Sequence, residues 1–423
     1  MHDKEPAIVT PLVGAMERAS DERSCPFAAK QYTLPVSPHC ELYITARAVP
    51  LLLPPGTSFS MRIAHLMSHS ALNGVATSVK TLIEEQLRAG HEVMLVHRNG
   101  SWIERQTLPK CLPILGTSFK TTPAEIRRVG YAIREWGAKV VHTHGSRANK
   151  YGMVYRCVAG TPVVMTAHCR QFQLPWMFAH AVIAPSHQTA RYYLKRCLVR
   201  HTCMHRVSHL FTVTTVEAAN DERRKQVRSQ LGMDREAFLI GSVGSICARK
   251  NQVEMVKLLA RLVDAGVKAE LVLVGDTDQA ESLPGWSDWL ARPELASRVH
   301  LLGQREDATR MMQCMDVYLC TSKVEEGPIA TLEALASALP VVTVDVGAAC
   351  ELIDHDRNGG LFPISAMDAM TEYVIRLAGA PALRAALGSN ARSTIAEQLA
   401  PAKIIPQVNK VYRAAMARAG VSG

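Results

Sequence analysis

SKVEEGPIATLEALASALPVVTVDVGAACELI, Ser322–Ile353, decides the fold of this 423-residue chain. The apolar run DVYLCTS from Asp316 precedes it and reads as a strand ending near Thr321. A short loop then carries Glu325, Glu326 and Gly327, and Pro328 takes the first helical position, where its missing N–H costs nothing. A helix is expected from Ile329 to Leu339, and PVVTVDVG at Pro340 is the next strand. Apolar runs that do not alternate, joined by a helix, belong to a parallel sheet covered on both faces. The first N–H groups of the helix, at Ile329 and Ala330, have no intrahelical partner and suit an anion such as a diphosphate. Phosphate repels carboxylates, so Glu325 before the helix and Glu333 in its second turn are better matched to hydroxyls.

The same strand-then-helix unit repeats outward in both directions. RIAHLM (Arg62–Met67), HEVMLV from His91, KVVHTH from Lys139, PVVMTAH from Pro162 and HAVIAPS from His180 form one series. In its first helix Val75, Val79, Leu82, Ile83 and Leu87 fall at helical spacing. FLIGSVGS from Phe238, AELVLVGD from Ala269 and RVHLLG from Arg298 open the second series. The fold class is therefore α/β, with two Rossmann-like doubly wound domains facing a cleft. The expected divisions are an irregular, proline-rich extension over 1–60, a first domain over 61–215, a second over 216–400, and a C-terminal helix and tail over 401–423. The segment AVPLLLPPG, Ala48–Gly56, is too short and proline-rich for a membrane span or a signal peptide.

The totals agree with a soluble globular protein: 48% of residues are hydrophobic and 20% charged. Aromatics at 5% argue against a single-stranded nucleic-acid binder, and no nucleic-acid partner is expected. Eleven cysteines without a C-x-x-C pair read as reduced thiols of a cytoplasmic protein. The net charge of +10 attracts phosphates and anionic membranes. RRKQVR, Arg223–Arg228, reads as a solvated helix face.

A second phosphate element is GSVGSICARKNQ, Gly241–Gln252. Strand, glycine loop and helix start approach a phosphate closely, and Lys250 supplies a point charge for a developing diphosphate. His168 and His144 end successive strands, where ligands of open α/β sheets bind. GDTD, Gly275–Asp278, is a strand-end turn rather than a metal-binding acidic pair. Cys197, His201, His205 and His209 have the helical spacing of a zinc site, but RVSHLFTVTTV reads as a strand, which breaks that register. No metal is expected.

The Glu325 and Glu333 spacing resembles the E-x7-E signature of glycosyltransferase family 4, the retaining group 1 enzymes of GT-B fold. RAGHEVMLV, VVHTHG, TPVVMTAH, VIAPS, LVLVGD and RNGGLFP follow in family order, so the likeness runs from about Met61 to Tyr412. The resemblance implies a retaining, hexosyltransferase-type enzyme acting on a nucleotide sugar, most often a UDP-sugar, with no cofactor. It implies a glycan or lipid-linked acceptor in lipopolysaccharide or other surface-glycan synthesis. It also implies a cytoplasmic protein, peripheral on the inner face of an anionic membrane. Glu325, His168 and Lys250 become the catalytic candidates, with Glu325 on the donor sugar hydroxyls and His168 near the sugar. Gly74, Ser245, Arg249, Lys250, Gly327, Ile329, Ala330 and Glu333 become the nucleotide-sugar contacts, Glu333 holding the ribose. The family carries an Arg where Ser245 stands, and Arg249 is the candidate replacement. Gly74 stands where the family has a glycine pair in the first strand-to-helix loop. Arg147, Lys150, Arg191, Lys195, Arg196 and Arg200 offer a basic surface to the acceptor. Two other readings fit the scaffold, a degenerate binding subunit and an isomerase or phosphorylase.

Overall fold

The computed structural model describes residues 60–421. The expected extension over 1–60 lies, but for Ser60, outside the described residues, as does Ala48–Gly56. The first part of the chain runs β1 (Arg62–Met67), α1 (Gly74–Arg88), β2 (Glu92–Arg98), β3 (Ile114–Thr117), α2 (Pro123–Glu135), β4 (Val140–His144), α3 (Ser146–Ala159), β5 (Val163–Thr166), β6 (Ala181–Ala184), α4 (His187–Arg196) and β7 (Met204–Arg206). The second runs α5 (Asp221–Gln230), β8 (Phe238–Val243), α6 (Val253–Asp264), β9 (Ala269–Val274), α7 (Trp286–Leu290), α8 (Pro293–Ala296), β10 (Val299–Leu301), α9 (Ala308–Met312), β11 (Val317–Cys320), α10 (Ile329–Ala336), β12 (Val341–Val344), β13 (Gly360–Phe362) and α11 (Met367–Ala378). Helices α12 (Pro381–Gln398) and α13 (Pro401–Arg418) close it.

The first sheet has the order β3-β2-β1-β4-β5-β6-β7 and the second β10-β9-β8-β11-β12-β13. Every pairing is parallel, as in Ile63 opposite Val140 and Tyr318 opposite Val341. The strand order reverses between β1 and β4 in one sheet and between β8 and β11 in the other. Those switch points open a crevice at the strand ends, and the candidate residues follow these strands: Gly74 after β1, His144 at the end of β4, Ser245–Lys250 after β8 and Glu325 after β11.

Local chemistry explains the elements that carry the site. Asn73 is extended and its side chain accepts from Ala76 N–H at 3.0 Å, so it caps α1, and Val79 and Ile83 turn inward one helical turn apart. Gly74 is thus the first residue of the helix rather than part of the loop before it. Pro328 is the N-cap of α10 rather than its first helical residue, and Ile329 opens the helix. That helix stops at Ala336, short of Leu339, because Ala338 turns left-handed with φ +58°.

Two sequence readings are corrected. RVSHLFTVTTV is not a strand: β7 ends at Arg206 and Val213–Thr215 is a 3-10 turn, so His209 is free to enter the cleft. Cys197 caps α4, His201 sits in a 3-10 turn and His205 lies on β7, which separates the zinc-spaced series onto different elements. Nor is Arg228 solvated. It is 2% exposed, donates to the carbonyls of Cys314 and Ala237 at 2.8 Å each, and meets Asp316 at 2.7 Å. A buried guanidinium needs all of these partners to offset its lost hydration.

An apolar cluster runs from Ile63 and Val140 in the first sheet through Phe211, Val216 and Tyr412 to Tyr318 and Leu335 in the second. Helix α13 belongs to it. It returns from the second half of the chain to the first, where Arg418 donates to His180 O at 3.1 Å and Tyr412 reaches His142 at 2.8 Å.

Candidate functional site

Glu325 is buried, and its Oε1 takes Lys250 Nζ at 2.7 Å and Arg249 Nη1 at 2.9 Å. Burial works to raise the pKa of this carboxyl, but Lys250 and Arg249 outweigh it, and the group stays below the usual glutamate range. Two cations against one carboxylate leave a net positive charge beside the start of α10. The N–H groups of Ile329 and Ala330 have no backbone acceptor among the described residues, and they add the positive end of the helix dipole. The arrangement is a ready anion site.

Arg249 therefore stands on the same carboxylate as Lys250, and it also donates to Val324 O at 3.0 Å. Ser245 contributes its backbone: its carbonyl accepts from Gln252 at 3.0 Å. Gly244 and Gly275 touch so closely that a Cβ on Gly275 would lie 2.2 Å from Gly244 O. Asp276, the first acid of GDTD, accepts from Asp278 N–H at 2.9 Å and so closes its own turn.

Glu333 has no ion-pair or hydrogen-bond partner for its carboxylate among the described residues. It is half-buried, and burial pushes its pKa up to about 7. An unpaired carboxylate one turn beyond the start of α10 is suited to a pair of hydroxyls.

The two halves of the chain meet around this center. Gly74 packs on Ile329: a Cβ there would stand 3.0 Å from Cγ1. Gly327 packs on His209, which is held by Ser78 at 3.0 Å and stacks on His168 with ring centroids 5.8 Å apart. Arg170 reaches Glu326 across the cleft at 3.2 Å. Burial raises the Glu326 carboxyl, Arg170 opposes this, and the net position is above the normal value. On the far side Glu351 accepts from His187 N–H and binds Arg206 at 2.6 Å.

The candidates Glu325, Lys250, Arg249, Ser245, Gly327, Ile329, Ala330, Glu333, Gly74 and His168 thus come together. The basic residues Arg147, Lys150, Arg191, Lys195, Arg196 and Arg200 are instead exposed along and after α3 and α4. Arg170 escaped the sequence reading, where His209 stood only in the zinc-spaced series and Glu326 only as a loop residue. Glu326 alone had a signal, its place next to Glu325.

The family model "Glycosyl transferases group 1" matches residues 223–394, and "Glycosyltransferase Family 4" matches residues 72–211. The chain is 21% identical over 294 residues to the UDP-Gal:alpha-D-GlcNAc-diphosphoundecaprenol alpha-1,3-galactosyltransferase of Escherichia coli, covering 64% of this chain and 74% of that one. It is 25% identical to the alpha-D-kanosaminyltransferase of Streptomyces kanamyceticus, over 66% of this chain and 78% of the relative. Anabaena Alr3699/HepE, crystallized with UDP and glucose, superposes with a TM-score of 0.73 at 19% identity, over 84% of this chain and 99% of its own. The two matched segments cover every strand of the two sheets but β1, and the chain belongs to the group 1 glycosyltransferases of family 4, built on the GT-B fold.

Proposed function

We propose that the chain transfers a hexosyl-type sugar, with retention, from a nucleoside-diphosphate sugar to a glycan or lipid-linked acceptor in the synthesis of a surface glycan such as lipopolysaccharide. One observation carries the reading: an anion site made of Lys250, Arg249 and the start of α10 lies beside two carboxylates in different states. Glu325 is ionized and ion-paired, and Glu333 is unpaired. A diphosphate fits the first feature. Sugar and ribose hydroxyls fit the carboxylates. UDP is the favored nucleotide, because the Escherichia coli relative is named for UDP-Gal and Anabaena Alr3699/HepE was crystallized with UDP.

In this reading the second half, 216–400, binds the donor and the first, 61–215, receives the acceptor, while 401–423 ties the two. The bond from the anomeric carbon to phosphate breaks as the bond to the acceptor oxygen forms on the same face. The acceptor proton passes to the departing phosphate oxygen. Lys250 and the N–H groups of Ile329 and Ala330 stabilize the charge that develops there, and positioning between the halves supplies the rest. His168 and Glu325 hold the sugar. No cofactor or metal takes part. Among the described residues no helix is long and apolar enough to cross a membrane. We place the chain in the cytoplasm, touching the inner membrane face through the basic surface of α3 and α4.

The test is release of nucleoside diphosphate from a panel of nucleotide sugars by wild type, Glu325→Ala and Lys250→Ala. Release by wild type that both substitutions abolish supports the transferase. If no donor turns over and calorimetry detects no binding of UDP or GDP, the degenerate-subunit reading replaces it.

A further inference from the structure

Behind the cleft, three histidine rings from adjacent strand ends are joined end to end. His168 Nε2 meets His144 Nδ1 at 3.0 Å, His144 Nε2 meets His65 Nδ1 at 2.9 Å, and His65 Nε2 meets Gln86 Oε1 at 2.7 Å. Gln86 lies on α1 and is fully buried. Its Nε2 donates to Tyr412 Oη of α13 at 2.8 Å, Tyr412 meets His142 Nδ1 at 2.8 Å, and His142 Nε2 meets Thr166 Oγ1 at 2.6 Å. The ligating nitrogens of His65, His142 and His144 lie within 4.8 Å of one another, near enough for one metal ion. Each ring nitrogen there already has a hydrogen-bond partner, so the cluster is a directed network rather than a cation site.

Direction follows from chemistry. Burial lowers the pKa of His65 to about 4, against the pull of Gln86, and burial likewise drives His142, His144 and His168 well below the usual histidine range. A neutral imidazole has one donor and one acceptor nitrogen. Gln86 Oε1 only accepts, so His65 donates from Nε2 and accepts at Nδ1. His144 must then donate from Nε2 and accept at Nδ1, and His168 must donate from Nε2. Its Nδ1 is left bare, and no protein partner for that atom exists among the described residues. On the other branch the Gln86 N–H donates to Tyr412, Tyr412 donates to His142, and His142 donates to Thr166. Every donor meets an acceptor. Turning the Gln86 amide over reverses each bond and would leave His168 with its proton on Nδ1.

We propose that Gln86 is a positioning residue for His168: its amide, relayed through His65 and His144, holds His168 in the Nε2–H form, with Nδ1 bare to accept a hydrogen bond from a donor sugar hydroxyl. This rests on the placement of His168 in the donor site. Tyr412 takes part through its hydroxyl, which accepts from the Gln86 amide and passes the direction on to His142. A helix from the end of the chain thereby sets the proton on a residue of the first domain.

The experiment uses the full chain with 15N-labeled histidine, His168 being assigned by His168→Asn. Wild type and, at a pH high enough to ionize its buried carboxyl, Gln86→Glu, whose carboxylate then only accepts, are expected to show the Nε2–H tautomer at His168. Gln86→Met and Tyr412→Phe are expected to show a mixture of tautomers. In steady state kcat falls roughly 10- to 100-fold in Gln86→Met, with the donor KM within about twofold, and Gln86→Glu restores most of it, as for other residues that orient a functional imidazole. An Nδ1–H His168 in wild type, or a tautomer unchanged in both Gln86→Met and Tyr412→Phe, overturns the proposal. The spectra need no sugar transfer, so their failure is separate from a failure of the transferase reading, which would appear as an inactive wild type with the tautomers as expected.

Discussion

Gly327 and His209 occupy one another's space across the cleft. A Cβ on Gly327 would stand 2.0 Å from His209 Nε2, and His209 is 9% exposed and held by Ser78. The chain needs glycine here for closeness, not for an unusual backbone, so alanine at 327 acts by steric displacement alone. Gly327→Ala is expected to separate the start of α10 from His209 and lower kcat/KM by about 100-fold, the scale of a misplacement near 1 Å, while the melting temperature changes little. Gly74→Ala, against Ile329, is expected to act in the same direction more weakly, since the contact it would make is 3.0 Å. Equal kcat/KM for Gly327→Ala and wild type would show that the observed approach is not needed for turnover.

Glu325 is buried between two cations, and removing one exposes how much each supplies. Its folded pKa lies below the unfolded value. It therefore contributes stability that is present above the unfolded pKa and is lost as pH falls through the folded one. Lys250→Ala leaves only the half-exposed Arg249, so burial is opposed less and the folded pKa rises. We expect a loss of about 3 kcal/mol at pH 7, the lower end for breaking a buried pair. The acid limb of the melting curve should shift to higher pH, and kcat should fall about 100-fold as transition-state charge loses a partner. Lys250→Arg should recover stability more fully than turnover. Parallel pH profiles for wild type and Lys250→Ala would refute the coupling.

The parallel strands were legible because AVIA, LVLV and VVTV are apolar runs without alternation. The short β3, β7 and β13 were not, for three or four residues such as GLF hold no period. At the site, Glu325, Glu333 and Lys250 could be read because a loop, a helix start and their spacing lie within one stretch. Arg170, His209, Gln86 and Tyr412 could not, because their partners come from distant elements brought together by the crevice and by the return of α13. Arg228 was misread for the same reason: a basic run looks solvated until Asp316 is placed beside it.

Glu333 makes the opposite pH prediction to Glu325. Its folded pKa, about 7, lies above the unfolded glutamate value near 4.5. Below the unfolded value both states are protonated and nothing is lost. Between the two values the unfolded chain ionizes first, so stability falls as pH rises, and above pH 7 the full penalty of about 3 kcal/mol remains. Glu333→Gln should therefore melt at the same temperature as wild type at pH 4 and higher at pH 8. If the carboxylate holds ribose hydroxyls, UDP affinity should increase with pH through 7 in wild type and stay flat and weak in Glu333→Gln by calorimetry. A pH-independent affinity in wild type would remove Glu333 from the nucleotide site.

The segment after His168 presents Phe172 and Leu174, 57% and 61% exposed, with Met177 and Phe178 also at the surface. It is not loose chain. Gln173 donates to Ser146 Oγ at 2.6 Å, Trp176 donates to Gln171 O at 3.2 Å, and the Trp176 ring packs edge-on against Tyr193 of α4 with centroids 4.6 Å apart. The apolar side chains are therefore held outward, and the neighboring helices α3 and α4 carry the exposed Arg147, Lys150, Arg191, Lys195 and Arg196. Exposed apolar groups on a segment flanked by basic helices match an anionic bilayer, where the rings enter the interface and the cations meet headgroups. Fully burying two such side chains is worth about 3 kcal/mol, or up to roughly 100-fold in partitioning. Wild type should cosediment with vesicles containing phosphatidylglycerol and be released by salt. Phe172→Ser with Leu174→Ser should weaken that binding strongly, while hydrolysis of the nucleotide sugar in solution continues at the wild-type rate. Binding to neutral and anionic vesicles alike, or binding that survives the double substitution, would place the membrane contact elsewhere.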